Sequence, residues 1–314
     1  MASFGANTTT DDVLAGVGLQ GRRFFVTGAS TGLGEETARA LAAHGAAVTM
    51  AARDVDRGAA AVERVRATVP GADLEVRRLE LGSLAGVRAC AEGFLGDHDR
   101  LDVLVNNAGV MACPFGTTAD GFELQFGTNH LGHFLLTNLL APALVAARPA
   151  RVVSLSSRGH RFSDVDLDDP NFEHTPYDPW VGYGRAKTAN VLFAIELDHR
   201  FADRGVRAFA VHPGTISTEL GRHLTDESLA ALVASMPPGQ EMRWKSVPEG
   251  AATSVWAATA AELDGRGGLY LEDCGIADPT DDPAARTGVR PYALDPGRAA
   301  ALWELSERLV GLGI

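Results

Sequence analysis

Tyr183 and Lys187 stand four residues apart in Tyr183-Gly184-Arg185-Ala186-Lys187. On a helix that spacing puts both side chains on one face. A free tyrosine ionises at pKa ~10, too high for proton transfer near neutrality. An ammonium beside it favours the phenolate and brings that value down, so the pair has the chemistry of a general acid and base. A second run, Thr27-Gly28-Ala29-Ser30-Thr31-Gly32-Leu33-Gly34, follows the apolar Phe24-Phe25-Val26 and precedes a helical pattern. A strand, a glycine turn and a helix N-terminus together make an anion site. Glycine lets the backbone approach a pyrophosphate, and the unpaired N–H groups and the helix dipole face its charge. Ser156 and Ser157 close another β-rich run, and alternation sends their side chains opposite ways.

These residues need a frame. From Arg22 onward short β-rich runs alternate with longer helical ones, the pattern of βαβ units on a parallel sheet. The spacing predicts strands over Arg23–Thr27, Ala47–Ala51, Leu74–Arg78, Leu101–Asn106, Ala150–Ser156, Val206–His212 and Gly268–Leu271. Apolar residues at three- and four-residue spacing predict helices over Gly34–His44, Val55–Thr68, Ser83–Gly96, Phe122–Leu144, Gly184–Phe201 and Pro248–Ala260, with a last helix through Leu309. The fold class is α/β: a single-domain Rossmann fold, a doubly wound seven-stranded parallel sheet with helices on both faces. Residues 1–20 read as a lead-in, with a short helix from Asp11, and residues 21–314 as the domain. Irregular inserts interrupt it at 158–182 and 222–247, and an extension begins at 273. The first insert holds Asp164, Asp166, Asp168 and Asp169, which lack the spacing and turn glycine of a calcium loop and read as a solvated acidic loop; no metal is expected.

In their order the motifs resemble the short-chain dehydrogenase/reductase family. They are the TGxxxGxG loop, Asn106-Asn107-Ala108-Gly109, Asn129, Ser157, Tyr183 with Lys187, and Pro213-Gly214. Within it the chain is most similar to the branch of retinol dehydrogenases and WW-domain oxidoreductases, through Asn129-His130-Leu131-Gly132-His133-Phe134, Lys187-Thr188-Ala189-Asn190-Val191-Leu192-Phe193 and Val211-His212-Pro213-Gly214-Thr215. The resemblance implies a hydride exchanged between a nicotinamide and a carbonyl or secondary alcohol of a lipophilic small molecule. Tyr183 would move the proton, with Lys187 and the nicotinamide charge lowering its pKa and Lys187 also binding the ribose. Ser157, the second of its pair, would orient the substrate oxygen, and Asn129 would hold a water leading from Lys187 to solvent. The cofactor would lie on Gly28, Ser30, Thr31, Gly32, Leu33, Gly34, Asn107, Ala108 and Gly109, with Glu80-Leu81 at the adenine. Pro213 and Gly214 would lead to the Ile216 backbone at the carboxamide and to Thr218 at a phosphate or amide. His130, His133 and His212 read as packing or loop-fixing residues.

The second strand ends Met50-Ala51-Ala52-Arg53-Asp54. An NAD site of this architecture places an acid there for the 2′-hydroxyl. Ala52 occupies that position and the Arg53 guanidinium suits a 2′-phosphate, so NADP(H) is expected over NAD(H). Asp54 is placed to cap the next helix. The 222–247 insert, with Leu224, Leu229, Met236, Met242 and Trp244, reads as a lid over the substrate.

The net charge of −12 speaks against nucleic acid or an anionic membrane as partner. No signal-peptide pattern opens the chain, no run approaches the ~18 apolar residues of a spanning helix, and Cys90, Cys113 and Cys274 form no CxxC pair. The reading is a cytoplasmic enzyme. The apolar helices Phe122–Leu144 and Gly184–Phe201 suggest a homodimer or homotetramer. Two rival readings are a non-catalytic NADP-binding sensor, which needs no proton relay, and a sugar-nucleotide epimerase or dehydratase of the extended branch, which carries GxxGxxG and a larger C-terminal domain.

Overall fold

A computed structural model of the chain describes residues 4–221 and 243–312. Helix α1 (Thr10–Leu14) leads into β1 (Arg23–Thr27), α2 (Gly32–Ala43), β2 (Ala47–Ala52), α3 (Val55–Thr68), β3 (Leu74–Arg78), α4 (Leu84–Asp97) and β4 (Val103–Asn106). There follow α5 (Leu124–Ala147), β5 (Ala150–Leu155), α6 (Pro179–Phe201) and β6 (Val206–His212). The short strands β7 (Thr215–Ile216) and β8 (Trp244–Lys245), α7 (Val247–Thr259), β9 (Leu269–Glu272), β10 (Gly275–Ile276) and α8 (Pro296–Val310) complete it.

The central sheet runs β10-β9-β6-β5-β4-β1-β2-β3. Seven of its strands are parallel, as the alternating pattern predicts. The eighth, β10, was not foreseen: it turns back antiparallel on β9, pairing Gly275 with Glu272. The order reverses between β1 and β4, and the crevice beyond their carboxyl ends is where an open α/β sheet binds its ligand. One core lies on the face covered by α4, α5, α6 and α8, and the other on the face covered by α1, α2, α3 and α7.

Three features differ for physical reasons. Helix α6 starts at Pro179, five residues before the predicted Gly184, because Asp178 caps it by accepting from the Trp180 and Val181 N–H groups and proline fits the first turn. Helix α5 is interrupted by a π turn over Gly127–Leu131, a feature common at functional sites. By length and composition α5 is also apolar enough to cross a membrane, contrary to the expectation that no run would be. It is mostly buried in the core, which accounts for its apolarity.

The apolar faces of α5 and α6 that suggested a second subunit are covered from within the chain. Trp303 of α8 packs against Phe134 at 4.8 Å and stacks on Phe193 at 5.9 Å, with the Arg200 guanidinium over its ring. The acids of the first insert hold that loop together. Asp166 accepts from the Asp168 and Asp169 N–H groups, Asp169 from those of Glu173, His174 and Thr175, and Asp164 pairs with Arg298 at 2.9 Å.

Candidate active site

The carboxyl ends of β1, β2, β4, β5 and β6 open into one cavity of about 1080 Å³. At one end stands the glycine loop. Gly28 has φ +66°, and a Cβ there would lie 2.8 Å from the Ala108 Cα; a Cβ on Gly34 would lie 2.3 Å from the Gly28 carbonyl oxygen. Both positions therefore exclude any larger residue. Thr31, the N-cap of α2, makes no side-chain cap bond, so the first N–H groups of that helix are left for an anion.

The loop is fixed by a hydrogen-bonded chain. The Thr27 Oγ1 accepts from the Asn107 and Ala108 N–H groups at 2.9 Å each, which leaves its own proton to donate to His133 Nε2, also 2.9 Å away. His133 Nδ1–H then donates to the Asn129 carbonyl at 3.0 Å. Burial lowers the His133 pKa to about 4, so the ring is neutral and this tautomer satisfies every group. The Asn107 side chain donates to the Thr27 carbonyl at 2.7 Å. His133 thus has the loop-fixing role its place beside a motif suggests.

Every proposed cofactor residue lines this cavity: the 28–34 loop positions, Arg53, Glu80, Leu81, Asn107, Ala108, Gly109, Tyr183, Lys187, Pro213, Gly214, Ile216 and Thr218. Asp54 caps α3 by accepting from the Asp56 and Arg57 N–H groups. Arg53 is exposed, with its Nε 3.9 Å from Glu80. Glu80 turns one oxygen to the Gly82 N–H at 3.2 Å. Arg57, one turn into α3, also lines this end, paired to Glu219 at 2.6 Å; it was missed because an exposed helix arginine carries no distinctive pattern.

At the other end Ser157 and Tyr183 line the cavity side by side, and the Ser157 side chain acts to lower the Tyr183 pKa. The Ser157 Oγ also accepts from the Gly159 N–H at 3.0 Å. Ser156 faces the other way and donates to the Lys187 carbonyl at 2.8 Å, as alternation requires. Lys187 Nζ lies 5.6 Å from the centre of the Tyr183 ring and donates to the Leu155 carbonyl at 2.9 Å. Burial pushes Tyr183 up to about 12 and Lys187 down to about 8. The depression expected of Tyr183 is therefore not a property of the protein alone, where loss of solvation outweighs the lowering influence of Ser157.

Asn129 lies behind the cavity wall. It is absent from the cavity lining, and its side chain is spent on Val110, accepting from the N–H at 2.8 Å and donating to the carbonyl at 2.9 Å. With its own carbonyl taken by His133, it braces the segment after β4. Trp180, Phe162 and Met111 add an apolar wall near Tyr183, and Arg158, Arg161, Arg286 and Arg290 add a basic one. The lid residues Leu224, Leu229, Met236 and Met242 lie outside the described residues, whereas Trp244 lines the cavity. Among the described residues no group of three or more histidine, cysteine or acidic side chains is placed to hold a metal.

The family model for short chain dehydrogenases matches residues 22–229. A short-chain dehydrogenase/reductase of Penicillium rubens is 42% identical over 294 residues, 92% of this chain and 85% of that protein. Human retinol dehydrogenase 12 is 42% identical over 296 residues, 94% of this chain and 88% of its own. Among solved structures, an uncharacterized protein from Mycobacterium paratuberculosis superposes with a TM-score of 0.74 at 37% identity, covering 98% of both chains. A Pseudomonas aeruginosa RhlG/NADP active-site complex does so at 0.63 and 27% identity, covering 81% of this chain and 95% of that one.

Proposed function

The chain belongs to the short-chain dehydrogenase/reductase family of oxidoreductases, and from that premise we propose that it exchanges a hydride between NADP(H) and the carbonyl or secondary alcohol of a lipophilic small molecule. The observation that carries this reading is the placement of Ser157, Tyr183 and Lys187 in the same cavity as the glycine cradle on α2. The cradle fits a dinucleotide: Cβ atoms are excluded at Gly28 and Gly34, and a helix N-terminus is left uncapped. Gly28 to Gly34 would hold the pyrophosphate, Arg53 and Arg57 would meet the 2′-phosphate, and Ile216 and Thr218 the nicotinamide end. When bound, the cofactor supplies or accepts the hydride.

The remaining chemistry falls to this chain. The Ser157 hydroxyl orients the substrate oxygen, and Tyr183 donates a proton to it as the carbonyl is reduced, or takes one from the alcohol in the reverse direction. The Lys187 ammonium stabilises the phenolate that results. Trp180, Phe162 and Met111 give the substrate an apolar wall.

The test is Tyr183→Phe, which keeps the ring in its packed site and removes only the hydroxyl. Turnover is expected to fall by at least the ~10²–10⁴-fold of a lost general acid, while NADPH affinity stays near native because Lys187 and the cradle remain. Near-native turnover in this variant would refute the mechanism.

A further inference from the structure

The cavity wall beyond Ser157 is strongly basic. Arg158, Arg161, Arg286 and Arg290 all line it, in a chain whose net charge is −12. The carboxylates on the same wall offset little of this. Asp273 is held by Lys245 at 2.6 Å. Glu272 accepts from the Gly288 N–H at 2.5 Å, and burial, the largest influence on it, raises its pKa. Asp278, Asp281 and Asp282, from the loop that carries Arg286, are not among the lining residues.

The arginines differ in what they are free to do. Arg161 is a brace: it donates to the carbonyls of Ala285, Thr287 and Gly288 at 2.7, 2.6 and 2.8 Å. Those bonds pin the 285–288 loop over the cavity and fix where Arg286 stands. Arg290 donates one guanidinium N–H to the Thr280 carbonyl at 3.1 Å. Arg286 has no hydrogen-bond or ion-pair partner among the described residues. Guanidinium groups gathered in one mouth repel each other, a conflict that folded chains retain where a ligand relieves it.

We propose that Arg286 and Arg290, positioned by Arg161, form an anion site at the substrate end of the cavity, so that the substrate is amphipathic: a carbonyl or hydroxyl at Ser157 and Tyr183, an apolar body, and an acidic group, carboxylate or phosphate monoester, on the arginine pair. The word substrate rests on the oxidoreductase reading; the anion site does not. A planar fork of N–H donors binds both head groups through paired, charge-assisted hydrogen bonds.

The test uses 7-oxooctanoate, 10-oxoundecanoate, their methyl esters and 7-oxooctyl phosphate, with saturating NADP+ so that the pyrophosphate cradle is filled. Calorimetric Kd and kcat/KM with NADPH are measured for native protein, Arg286→Gln and, as a charge-loss control away from the cavity, Arg266→Gln. The anions are expected to bind at least tenfold tighter than the esters. Arg286→Gln should bring that ratio close to one, Arg266→Gln should preserve it, and the tighter anion identifies the head group. Equal binding of anions and esters by native protein, or an anion preference that survives Arg286→Gln, overturns the proposal. Anion binding that depends on Arg286, without turnover of any oxo compound, counts against the oxidoreductase reading and leaves the anion site standing.

Discussion

Single residues set the chemistry through their surroundings. Lys187 is buried and its pKa falls to about 8, so it carries its charge below that pH and loses it above. Carbonyl reduction needs Tyr183 protonated, a state that burial favours, and Lys187 charged. The kcat/KM for reduction is therefore expected to be level below pH 7 and to decline as pH passes about 8; a profile that stays level to pH 10 would exclude this role for Lys187. Arg53 is judged at the same scale. Its side chain is exposed and held only at 3.9 Å from Glu80, so little has to be broken for it to meet a phosphate. Arg53→Ala should weaken NADPH by about 1.5–3 kcal/mol, the worth of a hydrogen bond to a charged group, and leave NADH nearly unchanged. Titrating both cofactors against both proteins checks this, and equal loss for the two would show that Arg53 does not read the 2′-phosphate.

Between elements, His160 joins the end of β5 to the C-terminal extension. Its Nδ1–H donates to the Ser157 carbonyl at 2.7 Å, and its Nε2 accepts from the Arg290 N–H at 3.1 Å. The His160 carbonyl in turn accepts from Tyr292 at 2.7 Å and from Thr188 at 3.0 Å. Burial lowers the His160 pKa to about 4, so the ring stays neutral and keeps one donor and one acceptor. His160→Ala leaves the Arg290 N–H without its partner, a cost of about 1–3 kcal/mol if that group stays buried, and takes the ring's hydrogen bond from the Ser157 carbonyl, which keeps only that of the His160 N–H, so it loosens Ser157 without touching the cofactor cradle. The expected result is a lower kcat with an unchanged NADPH Kd, partly restored in His160→Asn, whose amide can still donate to Ser157. A Kd that rises as kcat falls would mean general unfolding instead.

Across the whole molecule, buried histidines make stability depend on pH above the usual carboxylate range. His130 and His212 are pushed down to about 3, His133 and His160 to about 4, in each case mainly by burial. In the unfolded chain they take up protons near 6.5, so between pH 6.5 and 4 the unfolded state binds more protons than the folded one. Stability then rises with pH across that window and is lost on acidification. The Tm is expected to drop clearly from pH 7.5 to pH 5, and a Tm constant over that interval would contradict the neutral burial of these rings. At the same scale α8 closes the core: Trp303 sits among Phe134, Phe193 and Arg200 and covers helix faces that would otherwise need another partner.

What the sequence determined alone is what depends on short-range geometry. The glycine loop had to be a tight turn into a helix, because Gly28 and Gly34 meet neighbours where no Cβ fits. Tyr183 and Lys187 had to share a helix face, and Ser156 and Ser157 had to point apart. Alternating strand and helix patterns were enough for seven parallel strands, since each βα unit buries its own apolar face. The start of α6 was also written locally, in the cap Asp178 and Pro179, a signal overshadowed by the irregular composition around it. The rest was decided by contacts between distant segments, which no local period encodes. The Asn129 side chain, in a π turn, is tied to the Val110 backbone nineteen residues earlier in the chain. The basic wall formed only when packing carried Arg286 and Arg290 across the sheet to Arg158 and Arg161, held by Arg161's hydrogen bonds to the Ala285 and Thr287 carbonyls and by the Arg290 N–H on the His160 ring, all between residues more than a hundred apart in the chain.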